Sequence, residues 1–206
     1  MNKLLGLFDL KDSGLPTIPW KEYEERSVLD ENILWSVRTA VHRGNDLNLP
    51  RFIGVTADEA VSFAKNTKNK YRENGMIIYY PYFIAEKSGT LNVFNNKVVI
   101  EAVKDDLWNM VTYLKRNVTI ILENNKEECI GERNFLKSEE VEEITSYIGK
   151  VKMMYRDELI EGKSALLEWS YAYKCDINKN RIGDFMKQEP YKLRMKFAIV
   201  KSNNFM

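Results

Sequence analysis

The stretch 76–103, MIIYYPYFIAEKSGTLNVFNNKVVIEAV, commits much of this chain to a β-sheet. Ile77, Ile78, Tyr79 and Tyr80 are β-branched or aromatic and suit a pleated, half-buried surface. Val98, Val99, Ile100 and Val103 repeat the signal. The pattern predicts one strand over 76–84, a polar turn at Glu86-Lys87-Ser88-Gly89, and two further strands joined at Asn95-Asn96. Asn tolerates positive φ better than other non-glycine residues, so Asn95-Asn96 suits a two-residue hairpin. A sheet with one buried face and a polar turn at its rim follows from this, but no chemistry does.

A chain of 206 residues that is 44% hydrophobic and 12% aromatic can bury a substantial core without staples. Its 31 basic and 30 acidic residues leave a net charge of +1, which speaks against general attraction to nucleic acid or to an anionic membrane. The apolar cluster Leu4-Leu5-Gly6-Leu7-Phe8 is broken by Asp9 and is too short for a signal peptide, and no run approaches a membrane span. A cytoplasmic, soluble protein is expected. Cys129 and Cys175 have neither metal-ligand spacing nor a disulfide framework and read as buried or idle thiols.

Residues 1–32 read as an irregular packed segment interrupted by Pro16 and Pro19. Residues 33–41, ILWSVRTAV, are strand-like with Arg38 among apolar neighbours, and a polar loop with Gly44-Asn45-Asp46 follows. Thr56-Ala57-Asp58-Glu59 is a capping box opening a helix with Ala60, Phe63, Ala64 and Thr67 on one face. Asp105-Asp106 suits the cap of a short helix over 107–114. Residues 117–123 read as a strand and 124–128 as a solvated turn. From Ser138 an acidic first turn suits the helix dipole, and Val141, Ile144, Ile148, Val151, Tyr155 and Leu159 form a packing stripe. Residues 164–173 form an apolar strand holding one carboxylate, Glu168. A polar excursion over 174–190 leads to a last strand over 191–200. The expected architecture is a single α+β domain over 1–206, with a mixed or antiparallel sheet and packed helices.

The order of these features resembles the ATP-binding, ATP-grasp-type domain of the phosphoenolpyruvate synthase and pyruvate phosphate dikinase family, over residues 33–173. Val37-Arg38-Thr39-Ala40 followed by Asn45-Asp46-Leu47 resembles its Val-Arg-Ser-Ser motif and acidic loop. Ser88-Gly89-Thr90 is similar to its Ser-Gly-Val turn, Ser138-Glu139-Glu140-Val141 to its Thr-Asp-Glu-Glu-Val helix start, and Leu166-Leu167-Glu168-Trp169 to Asp-Ile-Glu-Trp. Gly14-Leu15-Pro16 is similar to its Gly-Leu-Pro. Departures are equally plain. Lys104-Asp105-Asp106-Leu107-Trp108 stands where the family has Gly-Leu-Gly-Glu, Leu166 replaces an acid, Tyr80 replaces a Gln, and the closing Gln-Ala-Arg has no counterpart in 197–202. The family's phosphohistidine and phosphoenolpyruvate domains do not fit this length, so a complete synthase or dikinase is not expected.

The resemblance implies binding of ATP and magnesium, with Arg38, Asp46, Ser88 and Gly89 at the nucleotide and Glu168 with Glu101 at the metal. Phosphoryl transfer needs cations around the phosphates and carboxylates on magnesium, and Arg38 would be the catalytic contact because guanidinium holds phosphate bidentately. Each residue has a second reading. Arg38 would equally serve by pairing with Asp46 or Glu168. A carboxylate in an apolar strand needs a cation, which either magnesium or Arg38 supplies to Glu168. Glu101 could simply face water, and Asp46 could be a turn residue. His42, the only histidine, reads as a surface side chain. The basic tail of Lys187, Lys192, Arg194, Lys196 and Lys201 reads as a solvated strand face, since no stacking motif accompanies it. Two functions follow: a nucleotide-binding phosphotransferase that passes a phosphoryl group to a separate protein phosphoacceptor or partner subunit, or a degenerate module that binds without turnover.

Overall fold

The apolar run at 76–84 is not one strand. In the structure, a computed structural model describing residues 3–43, 48–182 and 192–201, it splits into β4 (Gly75–Pro81) and β5 (Phe83–Val93), which belong to different sheets. Tyr82 makes the join and donates its N–H to the Leu34 carbonyl at 2.8 Å. The sequence conceals this break for a physical reason. Ile77 and Tyr79 enter one core cluster while Ile78 and Tyr80 enter another, so β4 is buried on both faces and shows no alternation. The polar stretch at 86–89 is likewise no turn. It lies inside β5, beside a bulge in the pairing with β9 (Ser164–Lys174) between Ala85 and Lys87, and the Lys87 and Ser88 side chains are satisfied internally. Ser88 Oγ lies 2.8 Å from Ser170 Oγ, and Lys87 Nζ lies 2.6 Å from Glu140 Oε2.

Every strand pairing is antiparallel, which settles the sheet type within the expected α+β class. The smaller sheet has the order β1-β4-β2-β3, adding β1 (Lys21–Glu22), β2 (Trp35–Val41) and β3 (Arg51–Val55). Helix α2 (Ala57–Tyr71) covers one of its faces. Thr56 and Glu59 form the expected capping box, and Ala57, Ala60 and Ala64 pack with Trp35, Val37, Ile77 and Tyr79. The opposite face, which carries Ile78 and Tyr80, meets Leu7 of α1 (Lys3–Ser13).

The larger sheet has the order β10-β9-β5-β6-β7-β8, adding β6 (Lys97–Lys104), β7 (Val118–Glu123), β8 (Lys126–Gly131) and β10 (Lys192–Lys201). The β5–β6 connection is the expected hairpin at Asn95-Asn96, although neither asparagine takes the positive φ that suggested it. Residues 126–128 are not a turn but the start of β8, and the turn is only Asn124-Asn125, both at positive φ. One face of this sheet carries Leu91, Val93, Ile100, Leu167 and Trp169 into the main core. The helix expected from Ser138 breaks into α4 (Ser138–Ser146), α5 (Ile148–Met154) and α6 (Arg156–Ile160), yet Ile144, Val151, Tyr155 and Leu159 all reach that core. On the reverse face, Val103 packs with Leu107 and Met110 of the short helix α3 (Trp108–Tyr113) and its approach. Asp106 Oδ1 caps that helix by accepting from the Trp108 N–H at 2.8 Å. No helix among the described residues is long and apolar enough to cross a membrane.

Tyr155 ties α1 to the main core by donating to Asp9 Oδ2 at 3.2 Å. Burial, then the Asp9 charge and its hydrogen bond, push this phenol well above the ordinary tyrosine range. Tyr171 is raised too, by burial and by its 2.8 Å bond to Glu143. An unfolded tyrosine releases its proton near pH ~10, whereas these two keep theirs in the fold. The folded state therefore holds more protons in alkali, so the stability they contribute is complete below that pH and is lost as pH rises above it. Tyr155→Phe should lose about 1 kcal/mol at neutral pH and show a shallower fall in urea midpoint between pH 9 and 11. An unchanged alkaline slope would rule out this coupling.

Candidate functional site

Arg38 lies mid-way along β2, directly opposite Ile78 of β4 on one side and Arg51 of β3 on the other. Directly paired residues point to the same sheet face, so two guanidinium side chains stand side by side there. Both line a cleft of about 620 Å³, a size typical of small-molecule sites. Ile78 and α1 form its floor, and Trp108 and Val111 of α3 form a wall. The cleft therefore lies between the smaller sheet and a helix seated on the reverse face of the larger one. None of its described lining residues is acidic. Thr39 borders it along the strand, but its side chain turns with Ile77 to the opposite face, the one α2 covers. Arg51 lies over the Trp108 ring, 5.6 Å from its centroid.

The two carboxylates expected at a metal occupy a single row of the larger sheet. Thr90 of β5 pairs with Glu168 of β9 on one side and with Glu101 of β6 on the other. All three point to the reverse face, the one on which Val103 meets α3, and the two flanking strands are roughly 10 Å apart. Glu101 is already engaged: its Oε1 forms an ion pair with Arg116 Nε, and its Oε2 accepts from Thr90 Oγ1 at 3.3 Å. Among the described residues no group of three or more His, Cys, Asp or Glu side chains could hold a metal ion. Neither Glu168 nor Glu101 lines the Arg38 cleft.

The remaining candidates separate from both places. Ser88 is buried against Ser170, and Gly89 is overlaid by the Trp169 indole, so this pair sits inside a strand rather than at an exposed turn. Asp46 lies outside the described residues. His42 is exposed, as expected of a surface residue, with its N–H bonded to the Asn74 carbonyl at 2.8 Å. Within the basic tail, Arg194 is half-buried and stacks over Phe83 at 5.5 Å, so it is not on a solvated face. Lys187 lies outside the described residues. Both cysteines are free thiols, Cys175 buried and Cys129 half-buried, and burial pushes the Cys175 thiol up. Sequence reasoning missed Arg51 and Trp108. The one signal for them was Arg51, a second arginine just after Pro50, where the chain returns beside Arg38.

No protein-family model matches this chain, and no curated protein matches it. Several solved structures do. N5-carboxyaminoimidazole synthetase from Staphylococcus aureus aligns with 98% of this chain and 44% of its own at 12% identity and a TM-score of 0.49. D-alanine–D-alanine ligase from Helicobacter pylori aligns with 96% and 50% at 13% identity and a TM-score of 0.48. The Bacillus anthracis ligase, in complex with ATP, aligns with 96% and 53% at 13% identity and a TM-score of 0.45. The chain thus spans about half the length of these structures.

Proposed function

We propose that this chain is a cytoplasmic, ATP-grasp-like nucleotide-binding protein that takes ATP with magnesium. On this reading it is a shortened relative of the ATP-binding domain of phosphoenolpyruvate synthases and pyruvate phosphate dikinases. The observation that carries this is the position of Arg38. The residue that the motif resemblance assigns to phosphate lines a ligand-sized cleft beside a second guanidinium, with no carboxylate in the described lining. Stabilising the phosphate charge is most of what a phosphoryl-transfer site must do. Magnesium is commonly held by one or two carboxylates plus the substrate's phosphates. Glu168 and Glu101 are the carboxylates the resemblance assigns to it, but neither lines the cleft where Arg38 would hold the phosphates, and Glu101 would have to exchange Arg116 for the metal. Magnesium bound with ATP would neutralise charge on the phosphates, while Arg38 would orient them. A phosphoryl group would pass to a separate protein acceptor.

Calorimetric titration with ATP and a non-hydrolysable analogue, with and without magnesium, tests this. Arg38→Ala should weaken binding at least about tenfold, as expected for loss of a charge-assisted bidentate contact, without altering the melting curve. No heat at near-millimolar ATP would sink the reading for this chain. A second reading, binding without turnover, is favoured by two features: Leu166 stands where the family has an acid, and Lys104-Asp105-Asp106-Leu107-Trp108 stands in place of its glycine loop. ATP binding with no phosphate released in the presence of magnesium would select it.

A further inference from the structure

The cleft contains more than the motif resemblance assigns to it. Arg38 and Arg51 are a directly opposed cross-strand pair, and like charges in that position repel. No ion pair of Arg51 with a carboxylate occurs among the described residues. What holds Arg51 is the Trp108 ring, a cation–π contact that orients the guanidinium without neutralising it. An anion in the cleft would neutralise the Arg51 guanidinium that the ring leaves charged. Trp108 itself is 50% exposed, with Val111 beside it on the same short helix at 63%. A half-exposed indole at the mouth of a cationic cleft is a stacking platform for a flat ring.

We propose that Arg51 and Arg38 together grip the phosphates of a nucleoside polyphosphate, and that Trp108 is the wall on which its base stacks. This rests on the nucleotide reading of the cleft and assigns its specificity to Trp108, the last residue of the Lys104–Trp108 stretch that stands in place of the family's glycine loop. It also makes the site spectroscopically addressable. Trp20, Trp35 and Trp169 are 5%, 8% and 0% exposed, so an aqueous quencher reads Trp108 almost alone.

The test measures acrylamide quenching of tryptophan fluorescence together with titration of ATP and of inorganic tripolyphosphate, which has no base. Wild type, Arg51→Ala and Trp108→Leu are compared. ATP should shield Trp108 from acrylamide. Arg51→Ala should weaken both ligands about tenfold. Trp108→Leu should weaken ATP about tenfold but tripolyphosphate less than about threefold, the difference being the stacked base. Melting curves should match wild type, since both side chains reach solvent. If either variant binds ATP as wild type does, or ATP leaves Trp108 quenchable, the inference is overturned while the nucleotide reading stands. If wild type binds no ATP at near-millimolar concentration, both fall.

Discussion

Gly89→Ala should lower the melting temperature by roughly 10 °C, the consequence of losing about 3 kcal/mol in a domain of this size. A Cβ built at Gly89 would lie 2.0 Å from the Glu101 carbonyl oxygen and 2.4 Å from the Trp169 ring. Neither obstacle can swing away. The carbonyl belongs to the neighbouring strand β6, and Trp169 is fully buried, 5.7 Å from the Tyr171 ring in an edge-on contact. Relief would require β5 and β6 to part or the indole to leave its rotamer, and the packed core resists either. The conformational freedom of glycine is not the issue here, since Gly89 is not among the glycines at positive φ. The requirement is space. Trp169→Leu in the Gly89→Ala background should recover part of the loss, because the smaller side chain makes room on one side. A single Gly89→Ala variant that melts within about 2 °C of wild type would mean that the strands yield easily.

Gly89 also shows what was legible in the sequence. Its own place inside β5 was not, because the polar run 86–89 read as a turn; β2, the capped helix α2, the core stripe of α4 to α6 and the apolar strand β9 were, because each carries a period or a cap that local chemistry enforces. The change of sheet at Tyr82 was not visible, since β4 is apolar on both faces. Within 1–32, read as irregular, the helix α1 and the two-residue edge strand β1 were missed, and so were two longer edge strands. In β8, KEECIG has no apolar alternation because an edge strand with little cover needs none. In β3, Gly54 at positive φ interrupts the strand pattern. Missing β3 meant missing Arg51, and with it the pairing that makes Arg38 one of two facing cations. Sequence order could nominate Arg38 and Glu168 one at a time, and the register places Glu168 and Glu101 in one row about Thr90. The cleft itself is tertiary, because α1, the paired strands β2 and β3, and α3 meet there from three separate parts of the chain.

The largest loss should come from Glu140→Leu, about 3–4 kcal/mol in urea unfolding. Lys87 Nζ and Glu140 Oε2 are 2.6 Å apart, with side-chain exposures of only 15% and 8%. The same carboxylate oxygen accepts the Lys137 N–H at 2.8 Å and so caps α4. This one carboxylate therefore fixes the start of α4 to β5 on the core face of the larger sheet. Removing it strands the Lys87 ammonium beside the Phe135 ring, 5.4 Å from its centroid, with little water to replace the lost partner. A buried cation left in this way accounts for most of the expected loss. The pair itself need not be strongly stabilising, because each ion was stripped of water to form it. The double variant Lys87→Met/Glu140→Leu should therefore recover most of the stability. It should remain about 1 kcal/mol below wild type, the cost of the missing cap. Two results would contradict this account. A single variant losing under about 1 kcal/mol would mean that the site is wet enough to solvate Lys87. A double variant no better than the single would mean that Glu140 acts through the helix cap alone, leaving Lys87 with no part in joining α4 to the sheet.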